Sequence, residues 1–204
     1  MTLTIWGRLN SHNVKKVVWL AEEIGLDYVR HDIGGKFGMD ESYLRKNPNA
    51  LIPTIEDGDF ILWESNSILR YFAAEYAPQR FWPTDPKTRA LVDRWMDWQF
   101  TYAEAQRPAF WNLIRCAPAD RDIEAIAKSA EASARLMAIL DRTLAGQPWL
   151  SGAEFGLGDI PMGVYVHSWF SLDIPRPEYR HISNWYARLC ERAGYAQFVR
   201  IPLS

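Results

Sequence analysis

Apolar residues come in short bursts over the first eighty or so positions and in longer helical rhythms after that. LTIWG at 3–7 reads as a short strand. From Val14 the apolar positions Val14, Val17, Val18 and Ala21 recur at helical spacing, Ile24 follows one step on, and Gly25 supplies a stop. YVRHDI at 28–33 predicts a second strand, followed by the glycine-bearing loop GGKFG and a short helix at 40–46. TIE at 54–56 and FILW at 60–63 flank Asp57-Gly58, a hairpin signal because both central residues of a type I′ turn need positive φ. A helix then runs from about Ser65 to Tyr76 with Ile68, Leu69, Phe72 and Ala73 on one face. The predicted order is β-α-β-α-β-β-α.

The stretch APQRFWPTDPK at 77–87 carries Pro78, Pro83 and Pro86 and reads as a linker. Strand signals vanish beyond it. Asp85 with Pro86 makes a helix start, and Leu91, Trp95, Trp98 and Tyr102 follow at heptad-like spacing until Pro108, which predicts a kink or an end. A second long helix is expected over about 120–145, and shorter ones near 159–170 and 179–192. The pattern divides the chain into a small α/β unit at 1–77, a linker at 78–86 and an all-helical unit at 87–204.

Composition narrows the class of protein without naming a function. Apolar residues make up 48% of 204, enough for a sizeable core. A formal net charge of -2, with no run of three Lys/Arg, gives no reason to expect nucleic acid or an anionic membrane as partner. MTLTIWGRLN lacks the features of a signal peptide, and VVWLA at 17–21 is too short to cross a bilayer. Cys116 and Cys190 stand alone, and His12, His31, His167 and His181 show no metal spacing. A cytoplasmic protein with neither a zinc site nor a disulfide framework is expected. Most of the 10 tryptophans fall in periodic segments, where they are expected to fill core.

The candidate chemistry starts in NSHNVKKV at 10–17. Ser11 and Asn13 flank a histidine where a strand gives way to a helix, so they either cap that helix or offer donors to a reacting group. Other segments bear on the choice. LRKNPNALIPTIEDGDFILWESNSILRYFAAEY at 44–76 holds a proline-bearing loop, a hairpin and a Glu-Ser pair opening a helix. FGLGDIPMG at 155–163 and NWYARLCERAGYAQF near the end complete four separated features in order. With them the chain resembles a cytosolic glutathione transferase over essentially its full length, and the Ser-x-Asn start is most similar to bacterial Nu-class and theta-like members. The resemblance implies a thioredoxin-like N-terminal domain joined to an all-α C-terminal domain.

It also implies a set of site residues. A cis Ile52-Pro53 bond would present the Ile52 backbone groups to the cysteinyl backbone of glutathione, as if the tripeptide were an added strand. Glu64 would answer the ligand's ammonium. Ser65, read from the sequence as the N-cap of its helix, would add a hydroxyl to the free N–H groups that receive the γ-glutamyl carboxylate. Lys36 would meet the glycyl carboxylate, since Leu51 stands where theta-like relatives often carry a basic residue.

A thiol titrates near ~8.5, and lowering that by about two units takes ~2.7 kcal/mol of preferential anion stabilisation. Ser11 and Asn13 are the expected donors to that thiolate. His12, alternating with them, is expected to point away. Trp98, Tyr102 and Trp111, with Trp95 nearby, are candidates for the electrophile pocket. At the signature helix, Gly156 replaces the Ser or Thr usual three before Asp159, so the reciprocal capping bond should be lost.

The expected activity is conjugation of glutathione, as co-substrate and with no other cofactor, to a small hydrophobic electrophile in a detoxifying homodimer. Reductive dehalogenation or disulfide reduction would use the same residues, and a non-enzymatic interaction module would not need them.

Overall fold

The structure, a computed structural model, describes residues 2–204. Leu3 and Ile5 of β1 (Leu3–Trp6) are buried while their neighbours are not, giving the strand one dry face. β1 pairs in parallel with β2 (Tyr28–His31) and antiparallel with β3 (Thr54–Asp57), which pairs antiparallel with β4 (Phe60–Trp63). The sheet order is β2-β1-β3-β4. The β3–β4 turn falls one residue later than expected. Asp57 pairs with Phe60, so Gly58 and Asp59 are central, and of the two only Gly58 takes a positive φ, +61°. That fits a turn with glycine first rather than type I′.

α1 (His12–Ile24) starts two residues before the first apolar position and ends at Gly25, whose φ of +80° lets its N–H bond back to Ala21. α2 (Glu41–Lys46) is capped by Asp40, which accepts from the Tyr43 N–H at 2.8 Å. α3 (Ser65–Tyr76) buries Ile68, Leu69, Phe72 and Ala73, as its periodicity predicts. The segment after it is not an open linker, because α4 (Pro78–Phe81) tucks Phe81 into the core.

Asp85 caps α5 (Pro86–Phe110) through the Thr88 N–H, and Asp122 caps α6 (Ile123–Leu144) through the Ala125 N–H. Pro108 lies inside α5 rather than ending it. The carbonyl that its missing N–H leaves free belongs to Glu104, on the exposed side of the helix. The helix instead ends in a π-helical turn at Trp111–Arg115, where Asn112 donates to the Pro108 carbonyl at 2.9 Å. The buried stripe of α5 runs through Val92, Trp95, Met96, Gln99 and Tyr102, while Leu91 is exposed.

α7 (Asp159–Ser171) and α8 (Arg180–Cys190) follow, then a π-helical turn at Tyr195–Val199. The hydroxyl missing at Gly156 is supplied from elsewhere. Ser151 Oγ accepts from the Gly158 N–H at 3.0 Å, and a Cβ on Gly156 would lie 2.8 Å from that same oxygen. Asp159 is fully buried and accepts from the N–H groups of Leu150, Ser151 and Gly156 and from the Trp185 indole. Asp159 therefore pins a loop and α8 as well as its own helix.

α1 is the shared element of the two halves. Every residue from Val14 to Ala21 is buried, two lysines among them, because α3 covers one flank and α7 with the 195–199 turn covers the other. Gly163 of α7 lets the Trp19 ring approach so closely that a Cβ there would lie 2.8 Å from it. At the far end of α1, Glu23 accepts from Trp19, Arg192 and Arg80.

Candidate active site

Five of the residues expected to act together are brought together. Asn13, Ile52, Pro53, Glu64 and Ser65 line one cavity of about 70 Å³, with Asn47, Asn49 and Leu51 completing its wall. The Ile52-Pro53 bond is cis. The loop before it is fixed from behind: Tyr43 and Asn47 both donate to the Leu51 carbonyl and both bond the Thr54 hydroxyl. Among the described residues nothing bonds the N–H or C=O of Ile52, so both are free for an extended backbone.

The N-terminus of α3 differs from the expected cap. Glu64, not Ser65, is the N-cap residue, and it holds a φ of +73°, rare for a side-chain-bearing residue. Ser65 is the first helical residue and makes no cap bond. Its hydroxyl therefore sits beside the open N–H groups of the helix start, where an anion is favoured.

Behind Ser65 stands Lys16, a residue the sequence reading passed over. It is fully buried, and its ammonium donates to Gln99 Oε1 at 2.5 Å and to Ser65 Oγ and Asn66 Oδ1 at 3.4 Å each. Asn66 is held in that orientation by its own donation to the Met96 carbonyl at 2.7 Å. No carboxylate among the described residues reaches Lys16 at ion-pair distance. Burial pushes its pKa down to about 7, with the Glu64 charge acting the other way. Since the ammonium donates to Ser65 Oγ, the Ser65 proton is left to point at a ligand.

The other candidates lie elsewhere. Ser11 occupies the N-cap position of α1 without a cap bond from its hydroxyl, and Asn13 lies inside the first turn, so neither side chain caps the helix. His12 turns from the polar cavity but not toward solvent. It stacks on Tyr165 at 4.8 Å, meets Phe110 edge-on at 5.0 Å and places Nε2 2.6 Å from Ser168 Oγ. Burial first, and then the charges of Lys15, Lys16, His167 and Arg115, push its pKa down to about 3, so it is neutral. With Gln106, Arg107, Phe110 and Tyr165 it lines an aromatic cleft of about 140 Å³ between α1, α5 and α7.

The residues expected to form an electrophile pocket do not line this cleft. Tyr102 is fully buried and bonded to Gln106, Trp98 stacks on Tyr102, and Trp111 is 60% exposed. Trp95 and Tyr102 of the aromatic stripe fill core instead, and Trp111 faces solvent. Lys36 is also apart from the polar cavity. It opens onto a third cavity with Arg8, Leu9, Asn10 and Arg115. Arg8 to Asn10, His12 and Asn13 thus wall three cavities in turn, while Ser11 lines none of the three.

Comparison with known proteins agrees with this geometry. The family model for the glutathione S-transferase N-terminal domain matches residues 1–74, and that for the C-terminal domain matches residues 108–193. The chain is 41% identical to glutathione S-transferase GstB of Escherichia coli, over 99% of this chain and all of that one. It is 27% identical to the disulfide-bond oxidoreductase YfcG of the same organism, over 91% of this chain and 89% of the relative. Among solved structures it superimposes with a TM-score of 0.96 on the theta class glutathione S-transferase of Xanthomonas axonopodis pv. citri with glutathione bound, at 47% identity over 100% and 99% of the two chains. An α/β half joined to a helical half, a cis-proline loop facing an open helix N-terminus and full-length identity above two fifths make this chain a member of the glutathione S-transferase family.

Proposed function

We propose that this chain conjugates the thiolate of glutathione to a small electrophile. The observation that carries the reading is the convergence of free Ile52 backbone groups, Glu64 and the uncapped Ser65 hydroxyl in one cavity beside Asn13. The cysteinyl backbone would pair with Ile52, and the α3 N-terminus with Ser65 would take the γ-glutamyl carboxylate, Glu64 answering its ammonium. The sulfur would then lie toward Ser11 and Asn13, whose hydroxyl and amide N–H groups favour thiolate over thiol at the positive end of α1. The 1–77 unit would hold glutathione, and the helical unit would present the electrophile across the aromatic cleft.

Ultraviolet titration of bound glutathione in Ser11→Ala and Asn13→Ala tests this. Each change should raise the thiol pKa and lower turnover with little loss of glutathione affinity, Asn13→Ala at least as much as Ser11→Ala. If Ser11→Ala alone abolishes the shift, the site is a serine-type one and Asn13 has no part in activation.

The likeness to YfcG, which is named a disulfide-bond oxidoreductase, favours a second reading in which the same thiolate attacks a disulfide. Reduction of a mixed disulfide without any organic electrophile separates the two. We also propose that the protein acts in the cytoplasm, in detoxification, as a homodimer. Phe60, Ile61 and Trp63 on the edge strand β4 are exposed, as a dimer contact would require, and gel filtration checks the size.

A further inference from the structure

The cavity that holds Lys36 is about 390 Å³ and unusually basic for a chain whose net charge is -2. Arg8, Arg30, Lys36 and Arg115 all line it, against Asp32 as its one carboxylate. Asp32 is already engaged, because Arg30 pairs with it and also donates to the Gly7 carbonyl. Arg8, Lys36 and Arg115 have no carboxylate partner at ion-pair distance among the described residues. Their remaining contacts are neutral: Arg8 with Asn10 Oδ1 at 2.9 Å, Lys36 over the Phe37 ring and Arg115 over the Phe110 ring. The charge of Arg115 also bears on Arg8, adding to burial in holding that guanidinium below its ordinary pKa. Gly35 is kept open for Arg8, since a Cβ there would lie 2.8 Å from Nε.

This cavity adjoins the aromatic cleft in two ways. The Arg8–Asn10 segment walls one and His12 the other. Phe110 lines the cleft while its ring carries Arg115, which lines the cavity. Leu9, Phe37 and Ile201 supply apolar wall beside the cations. An apolar ring against His12, Phe110 and Tyr165 would place a substituent among Arg8, Lys36 and Arg115.

We infer that the electrophile is an organic anion, an apolar body bearing a carboxylate or sulfonate that these three cations hold next to the nucleophile. The inference rests on the conjugating reading and adds the substrate class to it. With a chlorinated aromatic acid, the glutathione sulfur would bond to the ring carbon that bears chlorine, the C–Cl bond would break, and chloride would leave with the bonding pair. The thiol proton would already have passed to solvent.

The test pairs an anionic with a neutral probe of like reactivity, 4-chloro-3,5-dinitrobenzoate against 1-chloro-2,4-dinitrobenzene, each kcat/KM divided by its uncatalysed rate. The unreactive analogues 3,5-dinitrobenzoate and 1,3-dinitrobenzene are titrated calorimetrically in parallel. The benzoates should be favoured by at least about tenfold, the scale of a charge-assisted hydrogen bond, and the preference should shrink with added salt. Arg115→Gln and Lys36→Gln, both exposed positions, should each lower the anionic-to-neutral ratio severalfold. Equal binding of the two analogues, or a ratio that neither variant moves, overturns the inference. Anion-selective binding without turnover of either probe leaves the anion site standing and overturns the conjugating reading instead.

Discussion

In the proposed arrangement single residues divide the labour of the site, and two of them carry measurable predictions. Ser65 donates to a charged group and does not touch sulfur in the proposed arrangement. Ser65→Ala should therefore weaken glutathione by about 1–3 kcal/mol while leaving the pKa of the bound thiol in place, which calorimetry and ultraviolet titration check together. Lys16 is different, because its charge is buried before any ligand arrives. Its folded pKa of about 7 lies below the ordinary 10.5, so between those pH values the unfolded chain holds a proton that the folded chain lacks. Its contribution to stability must then rise with pH across that window, and the full burial penalty applies below it. The groups facing it are Glu64 at the start of α3, His12 on its own helix and Tyr165 on α7, while α5 presents the neutral Gln99 and Phe100. Denaturant titrations should show Lys16→Met gaining more stability over wild type at pH 6 than at pH 10. A carboxylate arriving at Ser65 should draw a proton onto Lys16, so the heat of binding S-methylglutathione, which has no thiol to ionise, should depend near pH 8 on the buffer's ionisation enthalpy; Lys16→Met should remove that proton uptake. The sequence revealed Ser65 through the Glu-Ser pair at a helix start. Lys15-Lys16 gave no such signal, since adjacent lysines in a helix read as a solvated face until a second helix is known to cover them.

At the scale of elements, local signals were reliable where the chain decides its own geometry. Gly25, Asp85 and the α3 periodicity each specify a boundary or a face from nearby residues alone, and the helices end or turn there as expected. The misses arose where tertiary contacts decide. Leu91 fits the heptad rhythm of α5 and lies outside, because the covering helices select Val92, Met96 and Gln99. The start of α7 departs for a nearer reason: its capping hydroxyl comes from Ser151, in the loop just before the slot that Gly156 leaves empty. Ser151→Ala should cost about 1 kcal/mol through the lost bond to the Gly158 N–H. Gly156→Ser should cost roughly 1–3 kcal/mol, because its Cβ meets Ser151. Moving the hydroxyl, with Ser151→Gly and Gly156→Ser together, should recover much of the second loss, and urea denaturation of wild type, Ser151→Gly, Gly156→Ser and the double variant gives the coupling. Losses that simply add would mean the two positions do not share one hydroxyl site.

Across the whole molecule, the two halves are joined through α1. Gly163→Val would drive a branched side chain into the Trp19 ring, and overpacking of this kind typically costs about 1–3 kcal/mol. Because Asn13, Lys16 and Trp19 belong to one helix, thermal stability and glutathione affinity should fall together in that variant, measured by scanning calorimetry and ligand titration. Unchanged affinity at lowered stability would show that α1 keeps its place at the site without Gly163. A helix covered from both sides also has a history during synthesis. α1 leaves the ribosome well before the residues that cover its second flank, Gly163 and the 195–199 turn. At roughly 5–20 residues per second, that flank waits on the order of ten seconds for its cover. Through that interval Trp19 and its neighbours are exposed to any chaperone or protease that meets the nascent chain, so a slow codon between the helix and its cover would lengthen the hazard to residues already made.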